Sequence, residues 1–438
     1  MAVRQWGRVF WRELRHDRSY TGWVAALNAD HRQVDGAWGW AVAGATFILM
    51  FLAYGNVYSF GVFFPSLATA FDADRAETAL VFSVVGGLYS TLGIVSGPAA
   101  DRFGTRPICL FAMLAMGTGL IYASMADALW QVYLGYGLGL SFGMGFTFAP
   151  ANAGLQRWFT KRRGLASGFA STGVGLSILA VPPLVAWLIA LFDWRVAMAV
   201  TGIMALVVGS LAALIIGDPP RTTAKGLGAA GTFELKRALT SRGFVMFYLS
   251  SMFCCFGFFI PFVHLVPYAL DQGLGDGSGI YLLAVIGASS LVGRLLLTAA
   301  SDRLGRRKTM VASYLAIGIS FVFWYGSSGY GEGAIALLTI FAALYGVGSG
   351  GYVAMIAPIL AEYFGTEKIG SVLGCFMPSV ALGGFFGPYL AGHAFDTWGS
   401  YDLPILAGAV LSLAAGLLAL AMPHRPYAPS TFNRKVAE

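Results

Sequence analysis

One arginine, Arg294, stands inside an apolar run at roughly residues 278–300 (SGIYLLAVIGASSLVGRLLLTAA), the one cation of 28 Lys and Arg to do so. A cation at such depth costs about 2.5–3.5 kcal/mol on insertion scales, which makes it a functional-site candidate. Its guanidinium is planar, presents five donors and keeps its charge at any physiological pH, so it can grip a carboxylate through two parallel hydrogen bonds. Every Asp and Glu of the chain lies in a loop or near the end of an apolar run. The expected partner is therefore a small anion from outside the chain; the other reading is a bridge to backbone carbonyls, tyrosines or a helix-end acid.

His264 and Asp271 stand seven residues apart. That is nearly two helical turns, which puts them on one face unless Pro267 turns the helix out of phase. Histidine titrates near neutrality and a desolvated acid can join it, so Asp271, His264 and Arg294 form the expected proton-coupling set, with His264 also in reach of a substrate. A buried neutral histidine and a solvated helix-end acid are the alternatives. Tyr136 and Tyr345 occupy matching places in two halves of the chain, and with Tyr54, Tyr58 and Asn56 they offer uncharged polar groups to orient a substrate. The same residues suit plain aromatic packing.

These side chains need a scaffold, and composition names it. Hydrophobic residues make up 57 % of the 438 and charged residues 11 %, against about 25 % charged in soluble domains. Apolar stretches long enough to cross about 30 Å of hydrocarbon fall near residues 37–64, 78–100, 107–126, 129–155, 164–191, 195–217, 244–270, 278–300, 309–328, 334–361, 369–395 and 403–422. The predicted fold class is an all-α membrane protein with 12 transmembrane helices. Outside the spans, Lys and Arg collect in the N-terminal tail, after each even-numbered span and in the C-terminal tail; only Arg75 and Arg195 fall on the other face. The positive-inside rule then places both termini in the cytoplasm, and the net charge of +7 becomes a topology signal that needs no nucleic acid.

In the tail, Trp6, Phe10 and Leu14 recur every four residues between arginines, as in an amphipathic helix lying on a lipid surface; a basic disordered tail is the alternative. The four cysteines lie within or at the ends of spans and read as packing residues. No metal cluster, nucleophile triad or nucleotide-binding loop is apparent, so neither an enzyme nor a cofactor or metal is expected.

The chain repeats itself at about 200 residues. Asp101-Arg102-Phe103-Gly104-Thr105-Arg106 follows span 2 and Asp302-Arg303-Leu304-Gly305-Arg306-Arg307 follows span 8; Tyr136 opens YGLG in span 4 and Tyr345 opens YGVG in span 10; Trp158-Phe159 matches Tyr363-Phe364. Duplicated halves are a common plan of secondary transporters. The division is a basic tail (1–36), a six-helix bundle (37–217), a polar linker (218–243), a second bundle (244–422) and a tail (423–438).

The two DRxGxR loops resemble motif A of the major facilitator superfamily, and the resemblance spans essentially the whole membrane region. Asp35-Gly36-Ala37-Trp38-Gly39-Trp40 and Trp158-Phe159-Thr160-Lys161-Arg162-Arg163-Gly164 are similar to the two signatures of its monocarboxylate porter family, and the short linker with PFVHLVPYALDQG in span 7 looks like bacterial members. The resemblance implies the major facilitator fold of two pseudo-symmetric bundles in a cell membrane, the inner membrane for a bacterial member. It implies alternating access, a small monocarboxylate of the lactate and pyruvate class with H⁺ as coupling ion, and a functional monomer; an organic-anion exchanger of the oxalate and formate type is the alternative. Asp101, Arg102, Arg106, Asp302, Arg303 and Arg306 become an expected conformational latch. Two departures stand out: animal members carry a lysine where this chain has Tyr58 and an Asp where it has Ser290, so their proton pair is incomplete here.

Overall fold

The computed structural model describes residues 35–159, 163–217, 235–275, 277–330, 333–364 and 369–423. The N-terminal amphipathic segment, most of the linker and residues 424–438 lie outside these. Among the described residues, 12 helices are long and apolar enough to cross a membrane. Spans 1 and 7 are each broken: Ala37–Tyr58 continues as Phe60–Phe71 past Ser59, and Arg242–Phe258 continues as Ile260–Asp271 past Phe259. The causes are local. Ser59 Oγ donates to the Gly55 carbonyl at 2.7 Å, a back-bond that bends helices, while Pro261 has no N–H to continue the ladder of span 7.

The duplication is visible in matched loops. Span 2 ends at Phe103 and span 8 at Leu304, each followed by a glycine with positive φ, Gly104 at 90° and Gly305 at 87°. Only glycine enters that region without strain, which explains its fixed place in both DRxG turns. At the same face, Arg106 Nε donates to Ile216 O at 2.9 Å and Trp158 Nε1 to Gly217 O at 2.6 Å. In the second half Arg307 donates to Met422 O at 2.5 Å and the Tyr363 hydroxyl to Pro423 O at 2.6 Å. Each pair satisfies carbonyls at the end of the last span of its own bundle.

The bundles meet through span 2 on span 11, span 5 on span 8, and the second pieces of spans 1 and 7 on each other. Spans 2 and 11 cross backbone to backbone, for a methyl on Gly86 would stand 2.5 Å from the Gly384 carbonyl oxygen. Pro388 supplies no amide to that carbonyl, which leaves it free to face span 2. These contacts extend from Arg75, beside Gly392, to Ile94, beside Gly374. Nearer the basic face, Gly93, Gly97 and Gly168 have no neighbour within 4 Å of an added methyl. The seam is closed toward the face opposite the basic loops.

Candidate functional site

Arg294 lies on span 8 (Ser278–Leu304), one turn beyond Leu291, which packs over Gly175 of span 5. It therefore sits on the basic side of the point where spans 5 and 8 touch. Its side chain is half-buried, Nε is buried with no hydrogen-bond partner, and among the described residues no acid pairs with it. An unpaired buried donor costs about 1–3 kcal/mol, more when charged. The hydroxyls of Tyr58 and Tyr54, from span 1, are the groups whose fields reach the guanidinium.

These two tyrosines belong to an aromatic cluster that crosses the bundle interface. Tyr54 and Tyr58 lie 5.8 Å apart between ring centroids, and Tyr58 is 4.3 Å from Phe262 across the bundle interface. Tyr89 of span 2 stands close to both tyrosines. Within the second bundle the Tyr352 hydroxyl shares hydrogen bonds with Ser251 at 2.6 Å and with the Cys255 thiol at 3.2 Å. Sequence reasoning passed over Tyr89, Tyr352 and Cys255. A tyrosine in the middle of an apolar span was the available signal, and Tyr352 follows Tyr345 by two turns of the same helix.

Three expected lining residues are placed differently. Tyr136 and Tyr345 are fully buried, and their hydroxyls donate to backbone carbonyls: Tyr136 to Asn56 O at 2.6 Å, Tyr345 to Phe258 O. Those acceptors sit beside the breaks in spans 1 and 7, where the helical ladder is interrupted, so the symmetry of the two tyrosines serves the bends of the helices. Asn56 is likewise buried, with Nδ2 donating to Leu52 O at 2.9 Å and Oδ1 unpartnered. Tyr136→Phe and Tyr345→Phe each strand a buried carbonyl; we expect a loss of about 1–3 kcal/mol. In thermal unfolding of the purified protein this amounts to roughly 2–6 °C. An unchanged midpoint would return these hydroxyls to the cavity.

At the face opposite the basic loops, charged groups close the seam. Arg75, the first residue of span 2, places two guanidinium nitrogens 2.7 Å from the two oxygens of Asp271, at the end of span 7. The same guanidinium donates to the Tyr401 hydroxyl at 2.7 Å and lies 3.7 Å over the Phe395 ring. Asp396 of span 11 accepts from the Arg75 and Ala76 amides at 3.1 and 2.7 Å, capping span 2 from the other bundle. Burial pushes the Tyr401 phenol up, so it remains protonated.

His264, expected near a substrate, is fully buried with both nitrogens engaged: Nε2 lies 2.9 Å from Pro388 O and Nδ1 3.0 Å from the Tyr401 hydroxyl. A carbonyl only accepts, so the proton sits on Nε2 and Nδ1 accepts from Tyr401. The expected pair is therefore not in direct contact, because Asp271 turns to Arg75 while His264 turns to span 11 and Tyr401. Arg75, Tyr401 and Asp396 were not anticipated in this role, although Arg75 stood out as one of two cations on its face.

Comparison with known proteins follows this geometry. A family model described as Major Facilitator Superfamily matches residues 46–324 and 281–438. Monocarboxylate transporter 11 of Homo sapiens is 31 % identical over 399 residues, covering 89 % of this chain and 84 % of that protein. Monocarboxylate transporter 13 of Rattus norvegicus is also 31 % identical, with 89 % and 90 % covered. The chain belongs to the monocarboxylate transporter family of the major facilitator superfamily. Solved structures agree on the fold: a D-xylose-proton symporter superposes with a TM-score of 0.72 at 15 % identity, covering 88 % of this chain and 98 % of that one. A bacterial homologue of the lysosomal transporter Spinster, inward-facing and unoccupied, gives 0.63 at 15 % identity, with 88 % and 95 % covered. The chain is thus a multi-pass membrane transporter and not an enzyme.

The two monocarboxylate-family signatures touch each other at the basic face. Asp35 N–H donates to Trp158 O at 2.8 Å, and the Trp40 ring meets Phe159 edge-on at 5.2 Å. The superfamily's motif A loops make their described contacts within single bundles. Arg102 lies over Phe103 and Arg106 caps span 6. In the second copy Arg307, not the expected Arg306, takes the place of Arg106. Arg306 instead donates to Pro358 O at 2.9 Å and approaches Glu362 at 3.4 Å. The side chains of Asp101 and Asp302 lie outside the described residues.

Proposed function

We propose that the protein is a proton-coupled symporter of small monocarboxylates of the lactate and pyruvate class, acting as a monomer by alternating access of its two bundles. The basic face is cytoplasmic, both termini lie there, and the described conformation, closed at the opposite face, is the inward-facing one. The observation that carries this reading is the Arg294 guanidinium, held between the bundles with an unpartnered Nε and, among the described residues, no acid beside it. A monocarboxylate brings one negative charge and two oxygens to a planar fork of donors. The tyrosines and Phe262 then suit an uncharged, short organic body.

Proton coupling follows from charge. The carboxylate neutralises Arg294, and a proton travelling with it makes the loaded carrier electrically equivalent to the empty one. Asp271, facing outside water, is the group that meets external protons first. The test is uptake of labelled lactate into vesicles under an inward proton gradient, with and without a protonophore. Accumulation that collapses with the protonophore is expected; uptake that depends only on an internal counter-anion would make the protein an exchanger instead.

A further inference from the structure

We infer that the apolar groove along the outside of the seam between spans 2 and 11 is a binding site for the acyl chain of a bilayer phospholipid, which lies across both bundles. The inference rests on the membrane-spanning fold and not on Arg294, the substrate or the orientation in the membrane.

Two helical faces build the groove. Val84, Leu88 and Thr91 share one face of span 2, and Pro378, Leu382 and Phe386 share one face of span 11 (Ile369–Trp398); together they line an open cavity of about 440 Å³. Other sides of the same helices point into the protein. Tyr89 of span 2 stands by Tyr54 and Tyr58 of span 1, while Gly383 and Gly387 of span 11 lie against Cys255 and Phe256 of span 7. The groove therefore faces away from the Arg294 site. Its lips are Leu88, Leu382 and Phe386, which are 38, 41 and 41 % exposed.

The floor of the groove continues the interface between the bundles outward. Gly87 has no side chain, and a methyl added to it would stand 3.1 Å from the Phe385 ring; one residue earlier on each helix, Gly86 meets Gly384. Because the two walls belong to different bundles, a chain in the groove touches both. It keeps all of its contacts only while spans 2 and 11 hold this relation.

Depth and chemistry name the occupant. Positions 84–91 straddle the middle of span 2 (Arg75–Phe103), and positions 378–386 the middle of span 11, so the medium beside them is hydrocarbon. Thr91 is the one polar side chain among the described residues that line the groove, and its hydroxyl already donates to Gly87 O at 2.9 Å. A headgroup would find no partner here. Methylenes gain nothing from hydrophobicity by moving from one hydrocarbon to another; what they gain is dispersion, since a lipid that bridges the lips without entering leaves the floor with no atoms against it. A thin, flexible chain end fills such a groove where a bulkier neighbour cannot.

The test is photolabelling of the full chain in phosphatidylcholine nanodiscs doped with a phosphatidylcholine that carries a diazirine near the end of one acyl chain. Adducts are mapped by mass spectrometry after irradiation. Ile203 of span 6 and Val410 of span 12, near the middle of their helices and 52 and 63 % exposed, report ordinary contact with surrounding lipid. Adducts at Leu88, Leu382 and Phe386 are expected to exceed those at the two reference positions by roughly fivefold, equivalent to about 1 kcal/mol. Thr91→Trp and Leu382→Trp fill the groove from opposite walls, and each should bring the remaining groove adducts down to the reference level. Val410→Trp, a bulky change elsewhere on the lipid face, should leave them unchanged. Groove adducts no more frequent than those at Ile203 and Val410 would mean ordinary lipid contact only and would overturn the site. So would an enrichment that survives in both groove-filling variants, or protection of the groove below the reference level, the sign that a protein surface covers it instead.

Discussion

Arg294→Lys is expected to cut the initial rate of lactate uptake by roughly 30- to 150-fold, the equivalent of losing about 2–3 kcal/mol of charge-assisted hydrogen bonding. Charge is conserved in this substitution, so the effect isolates geometry. Two guanidinium nitrogens can meet both oxygens of one carboxylate in a plane, whereas an ammonium offers a single hydrated point charge on a flexible stem. Lysine would also leave a gap beside Tyr54 and Tyr58, whose hydroxyls are the polar neighbours of the site. Uptake into proteoliposomes at matched protein content checks the prediction. A rate within about threefold of the parent would mean that bidentate binding is not the source of affinity.

The second large effect concerns Asp271→Asn, which should flatten the dependence of lactate entry on external pH. In the parent, Asp271 is held by Arg75 through two hydrogen bonds across the bundle interface, and proton-coupled entry rises as external pH falls. In the variant the ion pair with Arg75 is already broken, and its entry rate from outside should vary less than twofold over a pH range where the parent changes by about tenfold. Arg75→Gln removes the other partner while leaving the carboxylate in place, so the two substitutions together should add little to either alone. A steep pH response persisting in Asp271→Asn would move external proton sensing to another group.

Much of the scaffold was legible because hydrocarbon thickness imposes a length and the loops carry their charge asymmetrically. The limits of individual helices were less so. Span 2 was expected from residue 78 and begins at Arg75, since hydropathy gives no weight to a charged first turn. The breaks in spans 1 and 7 were likewise invisible to a window average, although Pro261 marked one of them. Arg294 could be singled out because a lone intramembrane cation is anomalous on its own, whatever its neighbours. Arg75 and Asp271 are 196 positions apart, and their meeting depends on how two bundles are tilted, which no periodicity along the chain encodes. Tyr136 and Tyr345 show the converse: duplication disclosed that they are equivalent but not whether their hydroxyls face a cavity or a carbonyl. A repeat read with its register intact would have favoured Arg307 over Arg306, because Arg307 stands five residues after its Asp, as Arg106 does.

Calorimetric titration of lactate and of lactate methyl ester into the nanodisc-embedded protein, parent and Arg294→Lys, addresses the anion site without transport. Saturable binding of the acid to the parent is predicted, with at least about tenfold weaker binding to the variant and none of the ester to either. Equal affinity of both proteins for lactate, or binding of the uncharged ester as tightly as the acid, would contradict the assignment of Arg294 as the carboxylate receptor.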